Sequence, residues 1–314
     1  MQNNINLIIY HGHCPDGWCA AHIASNKYPN AVLMSRDHGL EPPYEEVKGK
    51  DVLVVDFSWR TREQNDKLAS LSNSFRILDH HKTSQATLEK ARYVIFDMNR
   101  SGAGLTWDYL FGKDSTRVWD RDREERKGGV DIGIPRPWWV NYTEDRDLWN
   151  WKLPRSKEIC AYLGTLPFTR EAWNYLNNIT ELQAAELGTG ALAHINHYVR
   201  EAAQQARTGT WMGYKTSVLN VPYLNCSEVG NELAKTHQVS LTWFERGDDF
   251  VQFSLRSIGD IDVSEIAKKE AGGGHKNAAG FQLNLLDARR LIDEILNRTV
   301  RLRVSMLPSV LNIK

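Results

Sequence analysis

The chain has 314 residues, 39 Lys and Arg against 39 Asp and Glu, and 41% hydrophobic residues, a profile that excludes a disordered chain or a polycationic nucleic-acid coat. At about 100–200 residues per domain this length predicts two domains, each able to bury a core without disulfides or structural metals. No stretch reaches the roughly 18 apolar residues that cross a bilayer, and Met1 to Tyr10 lacks a basic segment followed by a long apolar one. The expectation is a cytoplasmic protein with no membrane partner.

Short apolar runs alternate with helical patterns through the first third of the chain. Leu7 to Tyr10 reads as a strand, Asp16 to Lys27 as a helix, Ala31 to Met34 and Val52 to Val55 as strands. Arg62 to Ser72 reads as a polar helix, and Phe75 to Leu78 and Tyr93 to Phe96 as further strands. Continuous β-branched runs separated by helices predict parallel strands covered on both faces, hence a doubly wound α/β domain. Ser101 caps a helix to about Leu110, and residues 113–137, with the charged run Asp120 to Gly129 and Pro135 and Pro137, read as an exposed insertion. Glu181 to Arg207 reads as a long helix open to interruption at Gly188 and Gly190. The predicted division is a first domain over 1–185, a helical connector over 186–208, a second domain over 209–298 and a tail over 299–314. Short strands at Ser217 to Val221, Val239 to Phe244, Phe250 to Arg256 and Gly280 to Leu283, with a helix from Leu286 to Asn297, make the second domain a smaller α/β unit.

Cys14, Cys19, Cys160 and Cys226 form no CxxC pair and are read as reduced spectators. Trp138, Trp139, Trp149 and Trp151 lie close together and are assigned to a core or domain interface in preference to base stacking.

Four strand runs end in side chains that suit a metal or a phosphate: His11, Asp56, Asp79 followed by His80 and His81, and Asp97. In an open parallel sheet, ligands bind beyond the carboxyl ends of the strands, so these residues would converge on one rim. Carboxylates gathered there are costly to desolvate without a cation or hydrogen bonds. One strand-end Asp alone is a helix cap; the coincidence with Asp16 and a His-His pair favours a metal centre.

Asp79-His80-His81 after a buried strand, His11 to Asp16-Gly17 after the first, Asp56 closing another and Gly272-Gly273-Gly274-His275 near the end resemble the DHH phosphoesterase superfamily. Tyr10 to Gly17, together with Asp145-Arg146-Asp147-Leu148-Trp149, resembles its short-oligoribonuclease, nanoRNase-like branch. The resemblance spans residues 5 to about 298. It implies two Mn²⁺ ions, or Mg²⁺, bridged by Asp56, with His11 and Asp16 on one and His80 and Asp147 on the other. It also implies that His81 faces the scissile phosphate while Asp79 orients the neighbouring imidazole. A set of imidazoles and carboxylates without thiolate suits Mn²⁺ or Mg²⁺ better than a structural zinc. The sequence departs from the common pattern at Trp18, where many relatives have a second acid. His13 is either a compensating donor or a solvent-facing loop histidine. Asp145 competes with Asp147 for the ligand role, and Asp147 is favoured because it directly precedes Leu148-Trp149.

No Gly-x-Ser-x-Gly elbow is present and no cysteine has an obvious histidine partner in sequence, so the expected nucleophile is water activated by the cations. The segment Gly272 to Gly280 and the nearby Arg256 resemble a DHH-associated domain, which implies that Arg256, Gly273, Gly274, His275 and Asn277 bind the substrate end distant from the metals. Zero net charge argues against tight binding of long duplexes. The expected activity is that of a metal-dependent phosphodiesterase of exoribonuclease type, trimming very short RNA or linear dinucleotides to mononucleotides. The alternatives are a cyclic nucleotide or cyclic dinucleotide phosphodiesterase, a phosphoadenosine-type phosphatase, and a nucleotide-binding protein whose turnover the change at Trp18 has weakened.

Overall fold

The computed structural model describes residues 4–112 and 135–297. The chain divides into two compact units between Tyr198 and Val199. The first unit carries five parallel strands, β1 (Leu7–His11), β2 (Val32–Arg36), β3 (Asp51–Val55), β4 (Ser74–Asp79) and β5 (Val94–Phe96), in the order β2-β1-β3-β4-β5. Its helices are α1 (Pro15–Lys27), α2 (Arg62–Leu71), α3 (Lys82–Thr87), α4 (Gly102–Phe111), α5 (Trp138–Asp147), α6 (Ser156–Leu163), α7 (Arg170–Tyr175) and α8 (Glu181–Ala203), the last crossing the boundary.

Alternation of side chains along the strands sorts the apolar runs into two layers. Leu7, Ile9, Val52, Val54 and Ile77 share one core with Phe57, Trp59 and Leu68 of α2. Ile8, Leu53, Val55 and Leu78 share the other with α1, α4, α5 and α6. Both faces of the sheet are therefore covered, as the doubly wound reading requires. Trp139 and Trp173 are buried edge to face in the second of these cores.

Helix α8 is continuous through Gly188, contrary to the interruption considered from sequence. A Cβ at Gly188 would lie 1.8 Å from the Glu158 carbonyl oxygen, so this glycine permits close approach of α8 to α6. Of the predicted insertion over 113–137, residues 113–134 fall outside the described residues, as does the tail, and Arg136 at its end is buried 3.1 Å from Glu144 instead of exposed.

The second unit holds a six-stranded mixed sheet in the order β10-β11-β9-β8-β7-β6. Its strands are β6 (Arg207–Trp211), β7 (Tyr214–Asn220), β8 (Val239–Glu245), β9 (Phe250–Arg256), β10 (Gly273–His275) and β11 (Ala278–Asn284). Leu241, Phe253, Leu255 and Phe281 build its core with α10 (Val263–Lys269) and α11 (Leu285–Ile295), while α9 (Cys226–Ala234) runs between β7 and β8. The glycine run, which carries no strand pattern in the sequence, forms edge strand β10, paired antiparallel with β11 through Gly273–Gly280, Gly274–Ala279 and His275–Ala278. Among the described residues no helix is long and apolar enough to cross a membrane.

Candidate metal centre

The strand order changes direction between β1 and β3, and the carboxyl ends of strands flanking such a switch point form a ligand crevice. His11 ends β1, Asp56 directly follows β3, and Asp79, His80 and His81 leave β4. Asp16 lies in the first turn of α1, and Asp147 ends α5.

Asp56 has φ of 56°, a left-handed conformation that costs Asp and Asn less than most residues. Its Oδ1 lies 3.1 Å from His80 Nε2 and its Oδ2 lies 3.5 Å from His11 Nδ1. Neither oxygen accepts a hydrogen bond, although the residue is only 1% exposed. Asp147 Oδ2, likewise without a donor, is 3.5 Å from His80 Nε2, and Asp16 Oδ2 is 3.9 Å from it. Asp16 accepts the Gly102 N–H at 2.5 Å and the Ala103 N–H at 3.0 Å. These amides open α4, so the helix dipole adds to the hold on this carboxylate. Ser101 caps α4 by accepting from the Gly104 N–H.

Asp79, fully buried, accepts the His80 N–H at 2.7 Å and the His81 N–H at 3.2 Å, and its other oxygen accepts the Ser58 hydroxyl at 2.8 Å. The same Oδ1 stands 2.7 Å from His81 Nδ1. Burial alone would raise the Asp79 carboxyl, but the His81 and His80 imidazoles hold it well below the usual carboxylate range. An ionised carboxylate only accepts, so Nδ1 of His81 is the protonated nitrogen and Nε2 is the ring's other face to the site.

The remaining acids are pulled in opposite directions. Burial opposes a charge on Asp56, yet the His11 and His80 imidazoles outweigh it and keep its carboxyl well below the usual range. Burial, then the neighbouring Asp147 and Asp56, push Asp16 well up; burial also raises Asp147, against the pull of His80. Burial disfavours a charged His80, but Asp147 and Asp56 raise it to about 10. Without a cation, protons must offset the crowded negative charge, and a divalent ion would take over that role.

Three donor groups in this unit have ligand atoms within 4.8 Å of one another: His11, Cys14 and Asp56; Asp16, His80 and Asp147; and Asp56, Asp79 and His81. The orphaned oxygens of Asp56 and Asp147 and the mixed oxygen and nitrogen donors fit divalent cations. The structure thus brings His11, Asp16, Asp56, Asp79, His80, His81 and Asp147 into one cluster. Asp97 belongs to none of these donor groups, and its carboxylate accepts the Asn99 N–H at 3.0 Å as a turn cap. Asp145 is committed to the turn after α5, accepting from the Lys152 and Leu153 amides and from the Ser156 hydroxyl at 2.6 Å. His13 lies on the surface, 3.1 Å from Asp37. Trp18 is 4% exposed and stacks on Phe168, so that position faces the core and not the crevice.

Two residues beside the cluster escaped the sequence reading. Cys14 was read as a spectator, yet it stands with His11 and Asp56. His38 packs on Phe57 with ring centroids 4.8 Å apart and lies 5.2 Å from the ring of His11; burial, then the neighbouring His11 and His81, lower it to about 3. A single histidine in the polar stretch Arg36 to Leu40 carries no pattern that would have marked it.

In the second unit, Arg256 donates to Ser254 Oγ at 3.0 Å, to the Leu255 carbonyl at 2.8 Å and to Ser227 Oγ at 2.7 Å. Gly273, Gly274 and His275 lie along β10, and Gly274 has φ of 141°, a value open to glycine. The Asn277 amide donates to Ser257 Oγ and to the Gly259 and Ile261 carbonyls, bracing its own turn.

Residues 214–301 match the DHHA1 domain. The uncharacterized protein R106 of Acanthamoeba polyphaga mimivirus is 27% identical, over 89% of this chain and 68% of that protein. Among solved structures, RecJ of Thermus thermophilus in complex with Mn²⁺ is similar with a TM-score of 0.52 and 15% identity, over 94% of this chain and 52% of that one. The exonuclease RecJ bound to manganese gives 0.50 and 14%, over 95% of this chain and 90% of that one.

Proposed function

We propose that the chain, whose residues 214–301 match the DHHA1 domain and whose fold is like that of RecJ, is a DHH superfamily protein and a metal-dependent phosphodiesterase that cuts very short RNA or linear dinucleotides to mononucleotides. The observation that carries the reading is Asp56: a buried carboxylate at the switch point with one oxygen 3.1 Å from His80 Nε2 and the other 3.5 Å from His11 Nδ1, and neither satisfied by a hydrogen bond.

In this proposal His11, Asp16 and Asp56 would hold one divalent ion and Asp56, His80 and Asp147 the other, with Asp16 between the two sets, since its ligand atom also stands with those of His80 and Asp147. When bound, such a pair supplies Lewis-acid charge to phosphate oxygens and lowers the pKa of water near it. The chain's own residues do the rest. The α4 amides fix Asp16, and the two oxygens of Asp56 face His80 and His11 respectively. Asp79 locks His81 through Nδ1, which leaves Nε2 toward the site, where the imidazolium form of the ring would donate to a phosphate oxygen. In the second unit Arg256, His275, Gly273 and Gly274 are the proposed nucleotide contacts, and the serine contacts on Arg256 hold its guanidinium in one orientation. Zero net charge supports a short substrate over a long duplex.

The test is a substrate panel for the full chain with Mn²⁺: pApA, a long single-stranded RNA, cyclic di-AMP and 3′-phosphoadenosine 5′-phosphate, with products separated by chromatography. Conversion of pApA to AMP at the highest kcat/KM supports the reading. Faster turnover of the cyclic or monoester substrate would replace it.

A further inference from the structure

We infer that Cys14 is a thiolate ligand of the ion held by His11 and Asp56, and that this position takes a borderline-soft cation such as Co²⁺ or Zn²⁺ in preference to Mn²⁺ or Mg²⁺. The inference rests on the metal-centre reading and adds a donor to it. Ligand atoms at about 2.0–2.3 Å from one ion lie no more than roughly 4.6 Å apart. The Cys14 sulfur, a His11 ring nitrogen and an Asp56 oxygen already stand within 4.8 Å of one another, so a small contraction closes them on an ion. The Asp56 oxygens supply the independent sign of a missing electrophile: at 1% exposure they close no hydrogen bond and face only the imidazoles of His80 and His11, at 3.1 and 3.5 Å.

The backbone supports a dedicated position for this thiol. Cys14 precedes Pro15, which restricts it to the extended conformation it adopts, with φ of −119° and ψ of 124°. It occupies the N-cap of α1, where Ser, Thr, Asp or Asn would cap the helix. The other thiols are buried away from such donors, Cys160 facing the Tyr142 carbonyl and Cys226 the Val221 carbonyl, with Cys19 in the α1 core. With Trp18 turned into the core, the loop cysteine supplies a donor that position 18 does not. Binding forms a metal–sulfur bond and releases the thiol proton to solvent, and thiolate moves selectivity toward softer ions.

The test is titration of the chelated full chain with Co²⁺, read by absorption. A near-ultraviolet thiolate-to-cobalt charge-transfer band in the parent, lost in Cys14→Ser while visible cobalt absorption persists, is the expected result. Removal of the sulfur should reduce the preference for Co²⁺ over Mn²⁺ by roughly 10- to 100-fold, the range found when groups supporting metal ligands are removed. X-ray absorption of the unmutated Zn²⁺-loaded chain provides a reading independent of the variant's folding, with sulfur expected at about 2.3 Å from the metal. Cobalt bound with no charge-transfer band and no sulfur at that distance overturns the role of Cys14 and leaves the metal centre standing. No bound cobalt at all overturns both.

Discussion

Replacing Gly102 with alanine adds one methyl group at the point where α4 meets the crevice. The new Cβ would lie 2.4 Å from Asp56 Cβ and 2.7 Å from its Cγ and Oδ1, where ordinary contact is 3.4–4 Å. Either Asp56 or the start of α4 must therefore move by about 1 Å, and a misplacement of that size costs on the order of 100-fold in rate, about 2.7 kcal/mol. Moving α4 also disturbs the Gly102 amide that holds Asp16, so both candidate ions are affected. The substitution favours helix by about 0.5–1 kcal/mol, set against an overpacking cost of about 1–3 kcal/mol. The assay compares thermal melts in chelator, Mn²⁺ titration by calorimetry, and kcat/KM on pApA. The expected variant is folded, with weaker Mn²⁺ binding and about 100-fold lower kcat/KM. A folded variant with parental affinity and rate would refute the assignment of Asp56 to the reacting centre.

Four further outcomes follow from the same geometry. Asp56→Asn, which keeps the shape and tolerates the left-handed backbone, should lose binding of both ions by calorimetry with a near-normal circular dichroism spectrum. Asp147→Asn should lower bound metal by elemental analysis, whereas Asp145→Asn should leave metal content intact and cost about 1–3 kcal/mol in urea melts, because it weakens the turn after α5. His80 is raised from an ordinary value of about 6.5 to about 10, so in chelator the native state holds an extra proton in that window and stability should fall as pH rises through it; a rising melting temperature there would contradict the electrostatic account. Arg256→Ala should lower kcat/KM on pApA by roughly 10- to 150-fold, the equivalent of one charge-assisted hydrogen bond, and spare bis-p-nitrophenyl phosphate; equal losses on both would assign Arg256 to folding.

The β-branched runs made the parallel sheet legible because strands covered on both faces carry apolar residues without alternation. The strand-end positions of His11, Asp56 and Asp79 were legible for the same reason, since each closes such a run. Asp97 shows the limit of that argument: it too closes a run, but its carboxylate turns back onto the Asn99 amide. Gly188 was misleading because a glycine inside a helical pattern signals either a break or a close helix contact, and only the neighbouring α6 distinguishes them. Cys14 and His38 were missed because their significance lies in tertiary proximity to His11 and Asp56. Strand β10 was missed because three residues, two of them glycine, carry no strand pattern until β11 pairs with them.

The most direct measurement is the rate of pApA cleavage by the full chain as purified, after exhaustive chelation, and after return of Mn²⁺. The account predicts cleavage to AMP that chelation abolishes and Mn²⁺ restores in the parent but not in Asp56→Asn. Cleavage that survives chelation, or that Asp56→Asn performs at the parental rate, would contradict it.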